Sequence, residues 1–144
     1  MYFKVMAENE SFLEEGGVKT AFMDGNGKQH TPIIIYYLDQ IFLHLGTQCI
    51  LFQVDVPSQA KISYCGKQIL VDQLSVKQSW SLKVAQTYQT LESMGLPIKK
   101  HYQKLLYWAT SHGHLGVIQY LFQQDPRIFF RGILPNKVIF DNAF

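Results

Sequence analysis

The sequence predicts an α+β protein, with a small β-rich module over residues 1–78 packed on a helical region over residues 79–144. Three observations predict it. The first half carries short runs of β-branched and aromatic residues, separated by Gly, Asn, Asp and Pro turns. Near residue 79 the apolar spacing changes from that of a strand to that of a helix. Further on, Leu105, Leu106 and Ala109 share one helical face, and Val117, Ile118, Leu121 and Phe122 share another, on either side of His112-Gly113-His114.

The elements follow in order. Tyr2 to Met6 alternates and is rich in strand formers. Glu14-Glu15-Gly16-Gly17 reads as a turn and Val18 to Met23 as a strand. Asp24-Gly25-Asn26-Gly27 is a strong turn signal, because each residue tolerates positive φ. Ile33 to Tyr37 is a β-branched strand leading into a short helix from Leu38 to Leu45, stopped at Gly46. Cys49 to Val56 alternates as a strand until Pro57 ends it. Short strands are expected at Ala60 to Tyr64, Ile69 to Val71 and Leu74 to Val76. Ser79 then caps a helix from Trp80 to Met94, with Leu82, Ala85, Tyr88 and Leu91 on one face, and Gly95-Leu96-Pro97 stops it. Gly113 ends the next helix in a left-handed conformation. The phenylalanine-rich tail after Asp125-Pro126 is expected to fold back over the last helix as a cap.

Composition narrows the class. Ten Phe, eight Tyr and two Trp give a heavy aromatic core and leave rings for a partner surface. A net charge of +2 is too mild to point to nucleic acid or a membrane surface. Two cysteines, Cys49 and Cys65, are too few for a disulfide framework and read as reduced thiols. The first ten residues lack the basic start and apolar run of a secretory signal. No window reaches the roughly 18 apolar residues of a membrane span. An intracellular protein is expected.

His101, His112 and His114 lack the further Cys, Asp or Glu ligands that a tetrahedral metal site needs, so no metal is assigned. Asp24-Gly25-Asn26-Gly27-Lys28 lacks the ligand spacing of a calcium loop. Gly25 and Gly27 do not open a helix and give no phosphate cradle. Nothing local activates Cys65 as a nucleophile.

The stretch Lys104 to Phe122 resembles one ankyrin repeat. In that family a first helix beginning Thr-Pro-Leu-His and carrying Ala-Ala is followed by Gly-His, a second helix with Val-Val and a Leu-Leu pair. Leu106, Ala109, Gly113, His114, Val117, Ile118 and Leu121 match. Lys104 and Leu105 replace Thr-Pro, Tyr107 replaces the His, Thr110 the second Ala, and Tyr102 a turn Gly. The resemblance covers about one repeat of roughly 33 residues, over 99–126, and Tyr88 to Ile98 is similar to the end of a degenerate repeat before it. It implies a module that binds another protein without catalysis. Partner contacts would come from Lys99 and Lys100 in the loop and from Ser111 and His112 before the Gly-His turn.

Ile50 to Val76 resembles a small module that precedes ankyrin repeats in some giant-virus and bacterial effector proteins, with strand patterns similar to those of the ADP-ribosyltransferase fold. The alternative reading is therefore an ADP-ribosyltransferase-like or degenerate NAD-binding domain, with a cleft lined by Tyr36, Tyr37, His44 and Gln53. Such transferases need a Glu that stabilises the developing oxocarbenium ion and an Arg or His that holds NAD. Between residues 16 and 91 the chain has no Glu and no Arg. No catalytic residue and no cofactor are assigned. A third reading makes the chain the N-terminal part of a longer ankyrin scaffold, its aromatic tail meeting later repeats. Frequent Gln and scarce Asn resemble the usage of intracellular bacterial pathogens, which suggests an effector delivered into a host cell without a cleavable signal.

Overall fold

The computed structural model describes residues 1–127. The fold is α+β, and the chain divides into two compact units, Met1–Trp80 and Ser81–Phe144.

The first unit is built of short strands: β1 (Tyr2–Met6), β2 (Ser11–Glu15), β3 (Val18–Met23), β4 (Gln29–His30), β5 (Ile33–Ile35), β6 (Ile50–Asp55), β7 (Ile62–Cys65), β8 (Gln68–Val71) and β9 (Ser75–Ser81). They form three sheets, ordered β1-β6-β9, β2-β3-β4 and β5-β8-β7. β1 runs antiparallel to β6, from Tyr2 opposite Val54 to Met6 opposite Ile50. Paired backbone bonds join the sheets. Phe3 and Tyr36 exchange two bonds of 2.8 Å, tying β1 to the end of β5. Lys19 and Leu74 exchange bonds of 2.8 and 2.9 Å, tying β3 to the residue before β9. Ile33, Ile35, Val54, Ile69, Val71 and Leu74 bury their side chains together, with Phe12 and Phe52 packed on them edge to face at 5.2 Å. Each such aliphatic side chain contributes about 1.5–3 kcal/mol by leaving water.

Two strands lie where none is expected. Ser11–Glu15 forms β2, with Glu15 paired to Val18 across Gly16 and Gly17. Both glycines have positive φ, as a two-residue hairpin turn requires. The turn is therefore Gly16-Gly17 alone, and Glu14 and Glu15 belong to the ladder. Gln29–His30 adds the short β4 against β3. The expected helix at Leu38 is a 3-10 helix over Leu38–His44, which buries Ile41 and Phe42.

The second unit holds α1 (Ala85–Ser93), a 3-10 helix over Ile98–His101, α2 (Tyr102–Ser111) and α3 (Leu115–Gln124). The helix expected from Trp80 starts at Ala85 instead, because β9 carries the extended chain through Ser81. Ser79 caps nothing; it lies inside β9, and the residue at the helix N-cap is Val84. Ser81 makes the turn, its hydroxyl accepting the Lys83 N–H at 3.2 Å.

α1 and α2 end alike. The Leu96 N–H reaches the Leu91 carbonyl at 3.0 Å around Gly95, and the His114 N–H reaches the Ala109 carbonyl at 2.8 Å around Gly113. Both glycines have positive φ, 105° and 70°, the left-handed cap that closes a helix. Leu105, Leu106 and Ala109 of α2 and Val117, Ile118 and Leu121 of α3 are buried, as their spacing predicts, while Phe122, expected on the same face, is only half-buried. Tyr88 of α1 is fully buried, and its hydroxyl donates to the Leu82 carbonyl at 2.6 Å. The aromatic cap expected from the tail lies outside the described residues.

Candidate functional site

Two places in the molecule gather polar and aromatic side chains with functional potential, one in each unit.

In the second unit, α2 presents a stripe to solvent. Residues three and four apart on a helix lie on one face. Lys104, Tyr107 and Ser111 have that spacing, and Lys100 precedes Lys104 by four in the adjoining 3-10 helix. All four are exposed, and Tyr107, at the middle, is 63% exposed. Lys99 is exposed beside Lys100. Between Glu92 and Asp125 the sequence has no acidic residue, so the positive field of Lys99, Lys100 and Lys104 meets no carboxylate from its own segment.

At the far end of α2 the rings are ordered. His112 is exposed, and its Nδ1–H donates to the Trp108 carbonyl at 2.9 Å, which fixes the imidazole plane. His112 stacks on His114 at 5.8 Å, and His114 lies 4.7 Å from the Trp108 ring. The four residues expected to touch a partner therefore fall into two pairs. Lys99-Lys100 precedes α2, and Ser111-His112 closes it. A ten-residue helix separates them, about 15 Å of axis. Tyr107 and Lys104 bridge the gap. In the sequence Lys104 belongs to a small basic cluster with Lys99, Lys100 and His101, whereas Tyr107 stands out only as a departure from the ankyrin pattern, although its three-and-four spacing with Lys104 and Ser111 is the signal of a shared face.

In the first unit, a cleft of about 400 Å³ opens beside β1. Its wall carries Lys4 and Glu10. The ladder sets Lys4 opposite Phe52, and its side chain is only 6% exposed. The ammonium lies 4.2 Å from the centre of the Phe22 ring. Burial pushes its pKa down to about 8, and the Glu10 carboxylate partly opposes this. Glu10 is held in place by accepting the Ala7 N–H at 2.7 Å.

Stacked rings line the same cleft. Phe22 stacks on His30 at 4.7 Å, and His30 Nε2 lies 2.8 Å from Asp24 Oδ2. The other Asp24 oxygen accepts the N–H groups of Asn26 and Lys28 at 2.9 Å each. The His30 bond, then the Lys28 N–H, hold the Asp24 carboxyl below the usual range. Tyr36 stacks on His44 at 4.0 Å, and burial pushes its hydroxyl pKa up.

Of the four residues that the enzyme alternative sets on a cleft, Tyr36 and His44 line this one. Tyr37 is exposed and lies 5.6 Å from the Tyr2 ring, and Gln53 is buried in β6 opposite Phe3; neither is in the wall. Lys4 escaped sequence reading because a lone lysine in a strand reads as its solvent face. The signal was its company: Tyr2 and Met6, on the same side of the strand, are apolar.

Among the described residues, no three His, Cys, Asp or Glu side chains converge as metal ligands. Cys49 is a buried thiol and Cys65 an exposed one. No helix among the described residues is long and apolar enough to cross a membrane. Comparison with protein-family models, with curated protein sequences and with solved structures finds no match to this chain.

Proposed function

We propose that this is a non-enzymatic protein-binding module, and that α2 is its reading surface. The observation that carries the proposal is the exposed stripe Lys100, Lys104, Tyr107 and Ser111, with a bare tyrosine at its centre and no acidic residue nearby in sequence. Exposed aromatic residues cost solvation and are favoured at interfaces, where a ring fills a pocket and the hydroxyl bonds at its rim. The lysines around it steer an acidic partner and set register rather than supply most of the affinity. His112 adds an imidazole already fixed in orientation by Trp108, which lowers the entropy lost on contact.

The ankyrin-like reading is supported by the α2-turn-α3 hairpin, closed at Gly113 with His114 bonded back to Ala109. In this reading α1 ends a degenerate repeat, and Gly95 plays at its end the part that Gly113 plays at the end of α2. Delivery into a host cell as an effector belongs to the same proposal and rests on composition alone.

Site-specific photocrosslinking tests the surface. A photoreactive residue at Tyr107 or Ser111 should crosslink an acidic protein from cell extract, and one at Lys67, exposed in the first unit, should not. Crosslinks from Lys67 and none from α2 would move the binding surface to the first unit.

A further inference from the structure

We propose that the cleft beside β1 binds a small planar organic carboxylate, whose negative charge meets the Lys4 ammonium and whose flat body lies against the stacked rings of the wall. The site is independent of the protein-binding surface and belongs to the other unit of the chain.

The charge comes first. Lys4 is an internal strand residue with its side chain more than nine-tenths buried, yet it lines an open cleft. A buried ammonium is costly unless a counter-charge or hydrogen bonds replace its lost water. The group recorded against it is a ring face, Phe22, which returns only part of that loss. Glu10 acts on it from the loop after β1, but one Glu10 oxygen is taken by the Ala7 N–H. Desolvation outweighs Glu10 at Lys4, so a ligand carboxylate would add to a counter-charge that Glu10 supplies only in part.

The number of charges sets the class. The other titratable groups of the wall are Glu10, His30, Tyr36 and His44. His30 is committed to Asp24, and Glu10 is itself an acid. β6, paired to β1, contributes no residue to the wall. Among the described residues, Lys4 is the one Lys or Arg of the wall, and the Glu10 carboxylate opposes added negative charge, which favours a monoanion over a dianion. Phosphate would carry a second charge with no second Lys or Arg in the wall to meet it.

The rings set the shape. Phe22 with His30 and Tyr36 with His44 are two stacked pairs, tilted only 16° and 25° within each pair. Flat faces of this kind accept a flat guest. A volume of about 400 Å³ lies at the lower end of ordinary small-molecule sites.

The test is a titration of the whole chain followed by amide chemical shifts, with benzoate, nicotinate and indole-3-carboxylate as probes. Benzamide serves as the neutral isostere and inorganic phosphate as the competing anion. The expected result is saturable shifts around Lys4, Phe22 and Tyr36 with at least one carboxylate, and none with benzamide or phosphate. Affinity should hold below pH 8 and fall about tenfold per pH unit above it as Lys4 deprotonates. Lys4→Met should abolish the shifts and Lys4→Arg should retain part of them. Equal binding of benzamide, preference for phosphate, no fall in affinity above pH 8, or no shift with any carboxylate at millimolar concentration would each overturn the proposal. The pH dependence is read on wild-type protein, so it decides the question even if Lys4→Met fails to fold.

Discussion

Gly113 and Gly116 stand three residues apart in one helical hairpin, and the same substitution should move stability in opposite directions at the two. Gly113 has φ +70°, and an added Cβ would meet nothing within 4 Å. Gly113→Ala therefore carries no steric clash and isolates the backbone term. Holding an L-residue left-handed costs about 1–2 kcal/mol. The bond from His114 to the Ala109 carbonyl depends on that conformation, so relaxing it forfeits the cap instead.

Gly116 lies in the first turn of α3, where a Cβ would meet the Lys83 carbonyl oxygen at 3.5 Å, ordinary van der Waals contact. Gly116→Ala removes backbone freedom from the unfolded chain and should stabilise by about 0.5 kcal/mol. The two variants should thus differ by about 2 kcal/mol in urea unfolding followed by helical circular dichroism, at unchanged m-value. Gly113→Asn should recover part of the loss, since Asn tolerates the left-handed region. A neutral or stabilising Gly113→Ala would refute the assignment of Gly113 as the left-handed cap of α2.

Other outcomes follow from single groups. Lys4→Met should stabilise the first unit by about 1–3 kcal/mol at neutral pH, because burial has lowered the Lys4 pKa from 10.5 to about 8. Below pH 8 both states hold the proton. Between pH 8 and 10.5 the unfolded chain keeps a proton that the fold has released, so the wild-type stability deficit relative to Lys4→Met should shrink across that window in paired denaturation curves. Tyr88→Phe should cost about 1 kcal/mol in urea unfolding, through loss of the buried bond to the Leu82 carbonyl. Asp24→Asn should remove a loss of stability at acid pH. The folded Asp24 pKa lies below its unfolded value, so the wild type gives up that contribution as pH falls through the folded pKa, which acid titration of both proteins would show.

How far the sequence could be read depended on where the deciding interaction lay. Tyr2–Met6 and Val18–Met23 form strands with the bounds that local alternation and β-propensity give them. The α2-α3 hairpin is equally local, since Gly113 and the apolar residues on either side of it suffice. Ser11–Glu15 carries too little apolar signal to announce a strand; its two-residue turn and its pairing to β3 create it. Trp80 and Ser81 fall within the helix expected from Trp80 to Met94, yet β9, in one sheet with β6, holds them extended, a tertiary override of local preference. The α2 surface was half legible, in Lys99, Lys100, Ser111 and His112. Tyr107 became visible only when Leu105, Leu106, Trp108, Ala109 and Thr110 beside it were seen to be buried while it stayed exposed. The cleft was legible in Tyr36 and His44 and hidden at Lys4, whose ammonium lies over Phe22, eighteen positions away in sequence.

The most direct measurement of the central claim is a quantitative pull-down from cell extract, comparing wild type with Tyr107→Ala and with the double variant Ser111→Arg/His112→Glu. Because these side chains are exposed, helical circular dichroism should not change. Tyr107→Ala is expected to weaken retention of an acidic partner at least about tenfold, as loss of a central anchor does, and the double variant should abolish it, with wild-type binding weakening as salt rises. Equal retention by all three proteins, or retention insensitive to salt, would contradict α2 as the reading surface.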